Sequence, residues 1–162
     1  MNEQPAVTHS TFAIQRTYAA PPARVFAAFA DPAFKRRWFL DGKGVSADAH
    51  TADFRVGGFE KSRFTFAGGP PGSPPPGTPM GNDTVYLDIV PNRRIVFAYT
   101  MLVGERRMSV SLATIELSAS GDRGTRLLFT EQAAFFDPAD GAHLREAGWR
   151  ELLAKVETVL GE

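Results

Sequence analysis

The chain contains no cysteine. Disulfides, thiolate metal sites and cysteine nucleophiles are therefore excluded, and the absence suits a reducing, cytoplasmic setting. There is no excess charge either: 18 Lys plus Arg balance 18 Asp plus Glu. A neutral chain lacks the basic field that a phosphate backbone demands, so nucleic acid is not an expected partner. No apolar run approaches the roughly 20 residues that cross a bilayer, so no membrane span is expected. MNEQPAVTHSTF, at the start, has neither the basic nor the apolar segment of a secretory signal. Histidine is scarce. His9, His50 and His143 share no ligand spacing such as H-x-x-x-H, so no metal is expected. There is no G-x-S-x-G nucleophile elbow. GGPPGSPPPG, residues 68–77, is glycine-rich but lacks the G-K-[ST] ending of a phosphate loop, and its prolines remove the N–H groups that would cradle phosphate. No cofactor is expected.

Aromatic residues are plentiful. The 162 residues include 13 Phe, 3 Tyr and 2 Trp, enough to fill a substantial core or line an apolar cavity. Residues 1–9 read as a disordered polar tail. STFAIQRTY (10–18) alternates as a strand. In the next segment, residues 19–39, Pro21 and Pro22 open a helix whose apolar face is Val25, Phe26 and Phe29. Asp31-Pro32 ends it and starts a second short helix, with Asp31 as N-cap.

From residue 44 to 136 the pattern is β. VSADAH (45–50) and ADFRVGG (52–58) are short candidate strands, with Gly57-Gly58 a turn or bulge. FEKSRFTF (59–66), TVYLDIV (84–90), RIVFAYTM (94–101), RMSVSLATIEL (107–117) and TRLLFTEQAAF (125–135) follow. In the fourth of these Met108, Val110 and Leu112 are in register, and the apolar set then moves to Ile115 and Leu117, which predicts a bulge inside the strand. The chain closes with a long amphipathic helix, capped by Asp137 or Asp140 and ended by Gly161, whose stripe is Trp149, Leu152, Leu153, Val156 and Leu160.

The Gly/Pro-rich stretch at 67–83 divides the chain into two halves. Apart, the N-terminal half has no long helix to cover its strands, and the C-terminal half would be an open sheet with two unpaired edges. Joined, they form an α+β layer: an antiparallel sheet of about seven strands with helices on one face. The stretch is then a long hairpin loop inside a single domain spanning 10–161.

This order of elements resembles the helix-grip fold of the START-like (SRPBCC) superfamily. Five segments carry the likeness: RTYAAPPARVFAAFADPAFKRRWF, FRVGG, DIVPNRRIVFAY, GTRLLFTEQ and GWRELLAKVETVL. The match is closest to the bacterial branch named after the activator of heat-shock protein 90 ATPase. The resemblance implies a curved sheet wrapped around the C-terminal helix, with an apolar cavity between them.

Three functional readings follow. The first is binding of a small apolar or amphipathic molecule in that cavity, by a monomer or homodimer. Its wall would draw on Trp38 at the mouth, Phe64, Phe66, Tyr86, Phe97, Tyr99, Met108, Phe129, Phe135, Leu153 and, on the gripping helix, Trp149. The second is a cyclase- or hydratase-like enzyme. Glu131 falls in phase with Leu127, Phe129, Ala133 and Phe135, and a buried carboxyl there can act as an acid–base group, assisted by Tyr86 or Tyr99. The third is a stress-related interaction module, chaperone contact included, which requires a large exposed apolar patch.

Overall fold

The computed structural model describes residues 6–40, 45–69, 71–137 and 140–162. The strands are β1 (Thr8–Tyr18), β2 (Val45–Ala52), β3 (Phe59–Phe66), β4 (Pro79–Val90), β5 (Arg94–Val103), β6 (Arg106–Ser120) and β7 (Gly124–Phe135). The helices are α1 (Pro22–Ala30), α2 (Pro32–Phe39) and α3 (Ala142–Leu160). All strands pair antiparallel in the order β1-β7-β6-β5-β4-β3-β2. β2 to β7 form a meander. The α1–α2 connection carries the chain from β1 at one edge to β2 at the other.

Local chemistry sets most boundaries. Pro22 sits in the first turn of α1, where its missing N–H costs nothing. The Asp31 carboxylate accepts from the Ala33 and Phe34 amides and starts α2. Asn92, with φ 64°, turns β4 into β5.

Several expectations shift. The tail expected over 1–9 lies outside the described residues up to residue 5, and β1 already begins at Thr8. ADFRVGG is not a strand: residues 53–58 form the turn between β2 and β3, closed by the Gly58 amide on the Arg55 carbonyl at 2.8 Å. The Gly/Pro stretch is a hairpin loop, but β4 starts at Pro79, so 79–83 belong to the sheet opposite Lys61–Thr65; Pro70 lies outside the described residues. Neither Asp137 nor Asp140 caps α3 with its side chain; Gly141 holds the N-cap position.

The register of β4 and β6 is the larger correction. In β6 the extra residue is Met108, because Met101 pairs with Ser109 while Leu102 pairs with Arg107. From there Ser109, Ser111, Ala113, Ile115 and Leu117 are buried, and Val110 and Leu112 are exposed. In β4 the bulge is at Leu87, so Thr84 and Tyr86 are buried while Leu87 is exposed. Bulges let buried small and polar residues share a face with Ile115 and Phe97.

The core lies between the curved sheet and the three helices. It joins Ile14, Phe29, Trp38, Ile115, Phe129, Leu153 and Val156. The Tyr18 hydroxyl donates to the Leu153 carbonyl at 2.8 Å, tying α3 to β1. Leu153 is fully buried. Leu153→Ala should cost about 2–5 kcal/mol, read as a lowered urea midpoint with unchanged slope.

Candidate functional site

α3 packs along β1, α1 and α2. On its other side, over β3 to β5, lies a half-open cavity of about 410 Å³. Its walls are Phe64 and Phe66 of β3, Met80 and Asn82 of β4, Tyr99, Met101 and Val103 of β5, and Met108. α3 contributes Leu144, Arg145, Gly148, Trp149 and Leu152. The Gly/Pro loop folds over this space, where Gly68, Gly69, Ser73 and Pro74 complete the wall. Gly148 leaves room: a Cβ placed there would meet nothing within 4 Å.

One end of the cavity is polar. Arg145 reaches from the first turns of α3 to the inner face of the sheet and is nearly buried. Its Nη1 donates to the Tyr99 hydroxyl and the Ser111 hydroxyl, both at 3.0 Å, and lies 3.4 Å from Glu131 Oε2. Its Nη2 donates to Ser109 at 2.7 Å and to Asp140 at 2.6 Å. The Tyr99 hydroxyl donates to Glu131 Oε1 at 2.5 Å and accepts from Trp149 Nε1 at 3.0 Å. With one donation and two acceptances, that hydroxyl has no capacity left. Tyr99 therefore offers a ring, not a proton, to the cavity.

Glu131 is completely buried and does not line the cavity; Tyr99 and Arg145, which do, bond to it. Burial pushes its carboxyl up, against the Arg145 cation and the hydroxyls of Tyr99 and Ser111. Burial likewise pushes Tyr99 up and keeps it a neutral phenol. Burial alone would lower Arg145, but Tyr99, Asp140 and Glu131 outweigh it and hold the guanidinium charged.

A second buried cluster sits where β2, β3, β4 and α2 meet. Glu60 accepts from Lys35 Nζ at 2.7 Å, contacts His50 Nε2 at 3.0 Å and accepts a short hydrogen bond from Tyr86. Burial pushes the Glu60 carboxyl up, but Lys35 and the bonds from His50, Lys35 and Tyr86 prevail and hold it at about 2. Among the described residues, no group of three or more His, Cys, Asp or Glu is arranged to hold a metal ion. No helix there is long and apolar enough to cross a membrane.

Residues 19–161 match the family described as activator of Hsp90 ATPase homolog 1-like protein. The chain belongs to this family. Two solved structures from rhizobia agree with that placement. Protein Mll3558 of Rhizobium loti is 50% identical over 96% of this chain and 99% of its own, with a TM-score of 0.82. An uncharacterized protein of Rhizobium leguminosarum is 36% identical over 96% and 97%, with a TM-score of 0.84. Protein CV1439 of Chromobacterium violaceum is 27% identical over 94% and 97%, with a TM-score of 0.72. No curated protein matches the chain. The helix-grip architecture is thus that of the activator family: a curved seven-stranded antiparallel sheet holding a C-terminal helix.

Within this member of the family, Phe64, Phe66, Tyr99, Met108 and Trp149 stand in the cavity wall. The other candidates do not. Trp38 is fully buried, not at the mouth, because its Nε1 donates to the Ala28 carbonyl at 2.7 Å and its ring packs on Phe29. Tyr86 is held in the Glu60 cluster. Phe97 and Phe129 pack against Trp149 from behind. Phe135 lies against the Arg145 guanidinium, and Leu153 faces the core. Arg63 and Asp88, polar residues of the same sheet, pair with Asp83 and Arg94 at half-exposed positions.

Sequence reasoning missed Arg145, Asn82, Gly148 and Asp140. Arg145 was detectable: it lies four residues before Trp149 and so on the same helical face. Asn82 was hidden inside the Gly/Pro stretch, although stepping back by twos from Tyr86 reaches it.

Arg145→Leu strands the Glu131 carboxyl and should cost about 3–5 kcal/mol in chemical unfolding, with part recovered when Glu131→Leu is added. Glu60, depressed in the folded state, stabilises fully above its ordinary value of 4.5, and that contribution is lost as the pH falls through about 2. Urea midpoints measured across that window should decline steeply for the natural chain and less steeply for Glu60→Gln.

Proposed function

We propose that the cavity between β3–β5 and α3 binds a small apolar or amphipathic molecule. The single observation carrying this reading is a half-open cavity of about 410 Å³ with largely apolar walls and one polar end, inside the ~300–1,000 Å³ range of ligand sites. A core meant only for stability would be filled, since voids forfeit packing energy. Here the wall instead includes Gly148, where a side chain has open space. The β3–β4 pairing also supports treating 10–161 as one domain.

Binding is favoured over turnover. Glu131 meets the cavity only through Tyr99 and Arg145, and the Tyr99 hydroxyl is fully engaged. A proton would need both bonds to break before reaching a ligand.

The test is to fill the cavity from the helix side. Gly148→Leu should keep the fold and raise helix stability by up to about 1 kcal/mol. It should lower uptake of a neutral lipophilic dye, followed by dye emission and native mass spectrometry, by at least about tenfold. Equal uptake by both proteins would sink the cavity reading.

A further inference from the structure

The polar end of the cavity has no charge to spare for a ligand. Both terminal nitrogens of Arg145 are spent on Tyr99, Ser111, Ser109 and Asp140. Its charge is countered by Asp140 at 2.6 Å and by Glu131 at 3.4 Å. Asp140 is thereby committed as well.

The unspent charge lies further along α3. Leu144, Gly148, Leu152 and Lys155 line the cavity at steps of four, four and three residues, which is one helical face. Lys155 falls within roughly 20° of Gly148 about the helix axis and roughly 15 Å along it from Arg145. It is half-buried. Among the described residues, no ion pair or hydrogen bond engages its ammonium. Glu151, the acidic neighbour one turn before, stands roughly 60° from Gly148 about the axis and is exposed. The wall facing α3 is apolar where Phe64, Phe66, Met80 and Met101 form it. A half-buried ammonium in such a lining has given up part of its water and gained no counter-charge.

We propose that the cavity takes an amphiphile with a single anionic head. The tail lies against Phe64, Phe66, Met80 and Met101, and the Lys155 ammonium holds the head. An ammonium is a compact point charge with three rotatable donors, so it selects the sign of the head group rather than its shape. This rests on the cavity reading above and names its ligand class.

The experiment uses the full chain loaded with a neutral lipophilic dye, displaced at neutral pH and low salt by decanoate, decanol or decylammonium. On the natural chain decanoate should displace the dye at about tenfold lower concentration than decanol, and decylammonium should be weaker than decanol. An alcohol gives up less water on entry than an anion does, so that order requires a counter-charge in the wall. Lys155→Met keeps an unbranched apolar stem. It should weaken decanoate at least about tenfold, leave decanol within about twofold and leave the melting temperature unchanged. Lys155→Arg should retain the preference for decanoate. Decanol or decylammonium displacing the dye as readily as decanoate, or a decanoate preference that survives Lys155→Met, would overturn the assignment and leave the cavity reading standing. Decanoate that binds Gly148→Leu as tightly as the natural chain would overturn the cavity reading itself, as would dye that none of the three displaces. The ligand series on the natural chain decides the sign of the head group even if a variant fails to fold.

Discussion

The arrangement depends on a buried carboxylate that must be satisfied. Glu131, on the last strand, is out of reach of water, so its oxygens need donors from the protein. Tyr99, Ser111 and Arg145 supply them from β5, β6 and α3. Arg145 in turn needs acceptors for its remaining N–H groups and finds Ser109 and Asp140. Trp149 closes the set on the Tyr99 hydroxyl. Each group answers the desolvation of another. The start of α3 is thereby fastened to three neighbouring strands by directional bonds, which apolar contact alone would not orient.

That fastening explains the cavity beside it. Arg145 and Trp149 span the gap between helix and sheet, and the strand opposite them carries Ser109, Ser111 and Ala113 where bulkier residues would collide. The remaining contacts of α3 lie with β1, α1 and α2. Over β3 to β5 the helix is held off the sheet, and the residues facing the space are Gly148 on one side and Phe64, Phe66 and Met80 on the other. The Gly/Pro loop can cover it because glycines with positive φ, such as Gly68 at 122°, turn the chain sharply. The same loop is closed by backbone bonds between Phe66 and residues 77 and 78, which continue the β3–β4 hairpin.

Local sequence pattern accounts for much of this architecture. The Asp31-Pro32 cap, the alternation in β1, β3, β5 and β7, and the stripe along α3 depend on neighbours in sequence, and they stand as the local pattern implies. The phase of Glu131 with Leu127 and Phe129 correctly put it inside. Where the strand faces depart from the local pattern, a bulge intervenes. Met108 and Leu87 each shift their strand by one residue, and one residue is enough to exchange the two faces. Val110, Leu112 and Leu87 turn outward and Ser109, Ser111 and Tyr86 turn inward, the reverse of what hydrophobicity suggests. Trp38 fails for a different reason: its indole N–H found a carbonyl within the α1–α2 bracket, which no pattern records.

The sequence by itself determined most of the element order, the antiparallel meander, the Asp31 cap and the apolar face of the last helix, because these arise from interactions over a few residues and from periodicity. It also ruled out thiol chemistry, since no cysteine is present. Tertiary structure decided which aromatic residues became wall and which became core, that Glu131 lies behind Tyr99 rather than in the cavity wall, and that Asn82 Oδ1 is buried without a hydrogen-bond partner. Those outcomes hang on pairings such as Tyr99 with Trp149, fifty residues apart, and on two register shifts. Contacts of that range are set by how the whole sheet curves around its helix, and no local stretch of the chain contains that information.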